Sequence, residues 1–466
     1  MNYRTNIDKI IEEKLYLKKG LNKKNEIARL IFEILKREKI SIDDLLHKQD
    51  LKNYINQKKY NFKLLKKILV DIRYPEYKPK ENEIFLPKLE EPIKREYFYS
   101  GTFKPKKIYI EKEAEQYKLT KKILSGFPNT EKIFINKIKD IKRNWKDYIR
   151  TIGKDELFLV KETYDVFKAC PCSNNVISCG YYIFNLGFGC PYDCSYCYLQ
   201  HYTNFPGIIL QVNIEEILNK LDKILATTKN KVLRIGTGEF TDSLVFDNIT
   251  EYTKYIVPFF AEKKHLLELK TKSTNIENLL NLKHNNKTVI SWSLNTPYII
   301  EKEELFTPDL ESRLKAAKTV IDAGYKVGFH FDPIVYYENW EKDYKKTIDK
   351  MFQYAGDKIL WISLGTLRFQ RDLKKIIESR FPENILLDGY LFMDSTDKKM
   401  RYPRELREDI FNTIYNHIKS HSTKTLVYMC MEDKTTWHSV YGTDFIQNNT
   451  DENLGIRYHE RKKKQQ

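Results

Sequence analysis

From residue 181 onward, short apolar runs alternate with amphipathic stretches, and this alternation constrains the fold more than any other feature of the chain. Strand-like runs are predicted at 181–186, 231–236, 265–270, 287–295, 326–331 and 358–365. Between and after them lie helical patterns at 214–226, 249–263, 276–282, 310–323, 340–354 and 372–380. Repeated βα units of this length imply a parallel sheet or barrel. Six such units make an incomplete version of the eightfold barrel. Such sheets place chemistry at the C-terminal ends of their strands.

The rest of the chain divides around that block. Residues 1–75 read as a basic helical bundle. Ile27, Leu30, Ile31, Ile34 and Leu35 follow helical spacing, Ser41 with Asp43 and Asp44 reads as a helix start, and a third helix is predicted over 61–72. Residues 76–165 are predicted to be a proline-marked linker (Pro75, Pro79, Pro87, Pro92) followed by a basic helical region anchored by Trp145. The barrel is assigned to 166–385. Residues 386–466 are expected to form helix and strand packed on the barrel, ending in a basic tail at 461–464.

Charge is unevenly spread. Residues 1–150 carry a net +16 of the chain's +17. Such asymmetry is a footprint of a polyanion-binding segment, and it favours nucleic acid as a partner. No apolar run approaches the ~20 residues of a membrane span, and the N-terminus has no apolar core of a secretion signal. Seven cysteines in 466 residues do not make a disulfide scaffold. The expected compartment is a reducing cytosol.

The chemistry-bearing motif is Cys190-Pro-Tyr-Asp-Cys194-Ser-Tyr-Cys197, directly after the first predicted strand. Tight thiol spacing in a reducing compartment means soft-metal ligation. Structural zinc wants four ligands in paired knuckles; this loop offers three. Three cysteines on a [4Fe–4S] cluster leave one iron open.

The motif in this context resembles the radical S-adenosylmethionine superfamily. That resemblance implies a partial (β/α)6 TIM-type barrel, a [4Fe–4S] cluster on Cys190, Cys194 and Cys197, and S-adenosylmethionine on the open iron. It also implies one-electron cleavage to a 5′-deoxyadenosyl radical. Further segments narrow it: Cys194–Gln200, Leu-Lys-Thr-Lys-Ser at 269–273, Ser-Trp-Ser-Leu-Asn at 291–295, Lys-Met-Arg-Tyr at 399–402 and Val-Tyr-Met-Cys-Met-Glu at 427–432. Over about 167–442 the chain is similar to the spore photoproduct lyase and DNA-repair-photolyase-like family. The radical of that family takes hydrogen from a thymine–thymine adduct in DNA, which then splits. A reducing partner such as flavodoxin or ferredoxin is implied.

Site residues follow from the same resemblance. Tyr196 and Tyr198 match tyrosines that assist hydrogen return. Gly236, Gly238 and Glu239 match the turn that holds the cofactor's amino group, and Asp242 and Ser243 are candidates for its hydroxyls. Lys272, Ser293 and Asn295 match polar strand ends near the cofactor. The family's hydrogen-donor cysteine is replaced by Phe240, which has no weak X–H bond. The usual relay therefore cannot run as such, and a related but different reaction is expected. Cys430 is a candidate substitute donor. Cys170, Cys172 and Cys179 are candidates for a second metal or for plain buried packing. His330 and Asp332 are expected to read the substrate, with Arg368, Lys399 and Arg401 as phosphate contacts. Two other readings stay open: a radical enzyme acting on RNA, a peptide or a small molecule, and a nucleic-acid-binding protein with a structural cluster.

Overall fold

The computed structural model describes residues 7–17, 20–142, 144–162, 166–173, 176–201, 207–228, 232–394, 397–442 and 457–458. They form two compact units, one of residues 1–93 and 368–403, the other of 94–367 and 404–466.

The second unit holds the barrel. Its parallel strands are β1 (Tyr181–Phe184), β2 (Arg234–Gly236), β3 (Leu266–Thr271), β4 (Thr288–Ser293), β5 (Lys326–Ile334), β6 (Ile359–Thr366) and β7 (Leu426–Met429). They lie side by side in chain order, and Phe167–Ala169 pairs antiparallel with β1 at the other edge. All six predicted strands are present, and β7 continues the sheet beyond them. Parallel strands covered on both faces read as near-continuous apolar runs; every residue of β4 is buried. The covering helices bury one stripe each. Ile214–Ala226 turns Ile214, Ile217, Leu218, Leu221 and Leu225 inward. Leu310–Asp322 begins where the Asp309 side chain accepts the Ser312 N–H at 2.7 Å.

A second sheet in this unit departs from expectation. Lys107–Glu111, Glu131–Ile135, Glu156–Val160 and Ile208–Gln211 run parallel, with Gly187–Phe188 antiparallel at the edge. Residues 107–165 therefore mix three short strands with short helices at Lys118–Ser125 and Trp145–Thr151. Lys-Ile-Tyr-Ile-Glu alternates with a period of two, and Ile108 and Ile110 are fully buried; the lysine content masks this period. The side chain of Trp145 and the tail at 461–464 lie outside the described residues.

The first unit contains the three predicted helices as Leu21–Glu38, Ile42–Leu46 and Phe62–Arg73, with a further helix at Gln49–Asn56. Ser41 and Asp44 form a reciprocal capping box. Glu33 is buried at the centre of a charge cluster, 2.7 Å from Lys374, 3.1 Å from Arg73 and 3.9 Å from Arg29. Burial opposes ionisation of Glu33, yet the three cations hold its carboxyl down at about 2. Segment 368–403 belongs to this unit. It includes helix Leu373–Arg380 and the small antiparallel sheet of Arg368–Gln370, Phe392–Met393 and Lys399–Arg401. The expected boundaries at 75, 165 and 385 are thus replaced by 93/94, 367/368 and 403/404. No helix among the described residues is long and apolar enough to cross a membrane.

Candidate active site

The cysteine loop lies beyond the C-terminal end of β1, as the βα pattern predicts. Its backbone is pinned by two means. Asp193–Cys194 pairs antiparallel with Glu304–Leu305, and Ser195 N–H donates to Glu303 O at 2.8 Å. The Gln200 amide donates to the carbonyls of Cys194 and Ser195, both at 3.0 Å. Beneath the loop, buried Asp193 accepts from Lys154 at 3.0 Å and Arg95 at 3.2 Å. Burial raises the Cys190 thiol, and it pushes Cys194 up to about 12 against the pull of Lys272. Buried thiols of this kind keep their protons at neutral pH until a metal replaces them. A cleft of about 450 Å³, counting the part open to solvent, is lined by Cys190, Cys197, Gly189, Tyr192 and Lys154. Three thiols and this space fit a cluster held by Cys190, Cys194 and Cys197.

A buried charge lattice stands beside the loop. Arg313 Nη2 donates to Glu304 Oε2 at 2.6 Å, and Arg313 Nη1 to the Ser293 carbonyl at 2.9 Å. Tyr196 O–H donates to Glu304 Oε1. Burial alone would raise the Glu304 carboxyl, but Arg313 and Lys272 hold it below the usual range. Burial opposes the charge on Lys272, and Glu304 and Cys194 restore it. Sequence reasoning found Tyr196, Lys272 and Ser293 but missed Glu304, Arg313 and Lys154. These come from distant stretches, and no local motif marks them.

The remaining candidates divide sharply. Tyr198 O–H donates to Glu239, at its carbonyl and at its carboxylate. Asp242 is used up within the protein: Oδ1 accepts from Leu244 N–H, Val245 N–H and Thr271 O–H, and Oδ2 from Lys272 N–H. Ser243 Oγ accepts from Thr237 at 2.7 Å. These bonds shape the turn after β2 and leave Asp242 little capacity for cofactor hydroxyls. Gly236 is required by packing, because a Cβ there would come within 2.6 Å of the Tyr181 ring; at Gly238 it would meet Lys270 O at 2.7 Å. Asn295 is engaged with Tyr344 at 2.5 Å and Pro333 O at 3.0 Å. His330 is bound to Glu268 at 2.8 Å inside the barrel, where Arg234 meets the same carboxylate at 2.7 Å. Burial and Lys270 lower the imidazole to about 4 despite Glu268, so it is neutral at pH 7. It is part of the wall, paired with Glu268. Asp332 lies two residues further along β5, before a cis bond to Pro333.

Arg368, Lys399 and Arg401 lie in the other unit. Arg368 and Arg401 are cross-strand neighbours, and Arg401 is buried with its guanidinium on Asp397 at 2.5 Å. A buried, paired arginine is a structural strut, which corrects its reading as a phosphate clamp.

Phe240 packs against Phe188 at 5.4 Å, with Lys168 over its ring at 5.0 Å. Thiols lie near its chain neighbour Glu239. The Cys170 thiol interacts with that of Cys172, and with burial this raises it; Glu239 and Cys430 add to the effect. Cys430 follows β7, its N–H on Leu364 O at 2.8 Å. Cys179 is half-buried, with Arg234 and Cys172 nearby. Cys170, Cys172, Cys179 and Cys430 do not converge to the mutual distances of a single-ion site.

The model of the family described as spore photoproduct lyase matches residues 103–438. The spore photoproduct lyase of Clostridium acetobutylicum is 29% identical over 312 residues, covering 64% of this chain and 87% of the relative. That of Bacillus subtilis is 28% identical over 333 residues, covering 69% and 93%. Among solved structures, a spore photoproduct lyase mutant with bound AdoMet and dinucleoside spore photoproduct superposes with a TM-score of 0.63 at 25% identity. It covers 70% of this chain and 99% of that one. A spore photoproduct lyase complexed with dinucleoside spore photoproduct gives 0.62, at 25% identity and the same coverage. With a match that runs through the second sheet, the cysteine loop and all seven parallel strands, the chain belongs to the spore photoproduct lyase family of radical S-adenosylmethionine enzymes.

Proposed function

We propose that this chain splits a thymine-adduct lesion in DNA by radical chemistry and returns the hydrogen from a relocated thiol. The observation that carries the reading is the three-thiol loop at the end of β1, with Cys190 and Cys197 lining a cleft, in a barrel that superposes on lesion-bound relatives. Cys190, Cys194 and Cys197 would hold the cluster, and Lys272, Ser293 and Glu239 lie at the strand ends where S-adenosylmethionine would sit. When bound, these groups supply reductive cleavage of a carbon–sulfur bond and with it a hydrogen-abstracting carbon radical.

The chain's own residues then have two tasks. The first is to hold DNA. Residues 94–150 of the barrel unit carry a net +9, with Lys112, Lys118, Lys121 and Lys139 exposed. Such a segment attracts phosphates without reading sequence. The second task is to return one hydrogen atom to the substrate radical. Phe240 cannot do this. Cys170, Cys172 and Cys430, grouped near Glu239, have S–H bonds that can: the S–H bond breaks, a C–H bond forms and a thiyl remains. Tyr198, bonded to Glu239, and Tyr196, bonded to Glu304, would relay a hydrogen back. A flavodoxin- or ferredoxin-type protein would deliver the electron.

The test is anaerobic reconstitution with iron and sulfide, followed by dithionite and S-adenosylmethionine. The reading expects 5′-deoxyadenosine, formed faster with lesion-bearing DNA than with lesion-free DNA. Equal rates with both DNAs would instead favour a non-DNA substrate.

A further inference from the structure

Two covering helices of the barrel unit bring three ligand-type side chains to one point. Helix Trp340–Ala355 carries Asp349, and helix Arg404–His421 carries His417 and His421. Histidines four residues apart share one helix face. Their Nε2 atoms approach the same oxygen, Asp349 Oδ1, at 2.7 and 2.8 Å. The three ligand atoms lie within 4.8 Å of one another, and no other group of three or more His, Cys, Asp or Glu does so among the described residues. The rings are fixed in place. His421 stacks on Phe352 with centroids 4.7 Å apart and planes at 11°, and His417 meets His421 edge-on at 5.3 Å. Asp349 Oδ2 and both Nδ1 atoms take no hydrogen bond from the described residues.

We propose that Asp349, His417 and His421 bind one divalent cation of the zinc class. Two imidazole nitrogens and a carboxylate oxygen suit Zn²⁺, whereas Mg²⁺ and Ca²⁺ prefer all-oxygen shells. In a neutral ring the proton moves to Nδ1 and the Nε2 lone pair faces the metal. The ion replaces two N–H···O bonds with three coordinate bonds and ties the two helices together. The side chains are 23%, 42% and 32% exposed for His417, Asp349 and His421, so water can complete the shell. The role is structural: the site is built on covering helices, not on the strand ends that carry the cysteine loop.

The experiment uses tag-free, cluster-loaded protein titrated with Zn²⁺ by calorimetry, then zinc-edge X-ray absorption. One ion per chain is expected, with nitrogen and oxygen neighbours at about 2.0–2.1 Å and no sulfur at about 2.3 Å. The His417→Gln/His421→Gln variant should bind at least about tenfold more weakly. It should also lose the Zn²⁺-dependent rise in Tm while melting like the wild type without Zn²⁺. Should that variant fold poorly, Asp349→Asn repeats the comparison. Sulfur in the shell, undiminished uptake in the variants, or no uptake at micromolar Zn²⁺ overturns the proposal.

Discussion

Glu304→Gln removes one charge from the lattice beside the cysteine loop while keeping its shape. Gln can still bond Tyr196 and Arg313, so the loss is electrostatic. Arg313 would remain buried without its carboxylate, and half-buried Lys272 would lose a nearby negative charge. Leaving a buried charge unpaired costs about 3 kcal/mol or more. For a unit of this size each kcal/mol moves Tm by roughly 1–2 °C, so the fall should be roughly 3–6 °C. Near-UV circular dichroism of the cluster-free protein measures it. Adding Lys272→Met should recover part of the loss, because the two positions share one interaction. A fall of less than about 2 °C, or no recovery in the double variant, would refute the argument that Glu304 neutralises both cations.

The first unit should weaken in acid. The folded Glu33 carboxyl, at about 2, lies below its ordinary 4.5, so its contribution is present above pH 4.5 and lost as pH falls toward 2. That contribution is about 3 kcal/mol, and far-UV circular dichroism should show Glu33→Gln flattening this acid limb. Replacing Lys112, Lys118, Lys121 and Lys139 by Ser should lower the log–log salt slope of DNA binding by about 0.9 for each phosphate no longer neutralised. An unchanged slope would make that charge solvated surface only. Cys170→Ala, Cys172→Ala and Cys430→Ala, tested singly, should leave 5′-deoxyadenosine formation intact, and the variant lacking the donor should divert the lesion radical to side products seen by mass spectrometry. Normal products from all three would exclude a thiol donor in this group.

The barrel was legible because each strand is a bounded apolar run and each helix an amphipathic one. The cysteine loop was legible because its ligands are close in sequence. The second sheet was not: Lys107–Glu111 carries a period of two that lysine-rich composition obscures, and the last parallel strand, Ile208–Gln211, pairs with Glu156–Val160 across about fifty residues of chain. Glu304 and Arg313 escaped for a related reason, since a charge pair made by chain folding leaves no spacing signal. Gly236 carries a packing constraint that its motif does not show, since the Tyr181 ring fills the space a Cβ would need. Arg401 looked like an open cation in sequence and is a buried partner of Asp397.

The most direct test of the central claim is product analysis with a synthetic dinucleoside spore photoproduct. Reconstituted, reduced protein with S-adenosylmethionine should convert it to the intact dithymidine dinucleotide, and Cys194→Ala should not. Abundant 5′-deoxyadenosine with the lesion left whole would contradict the account.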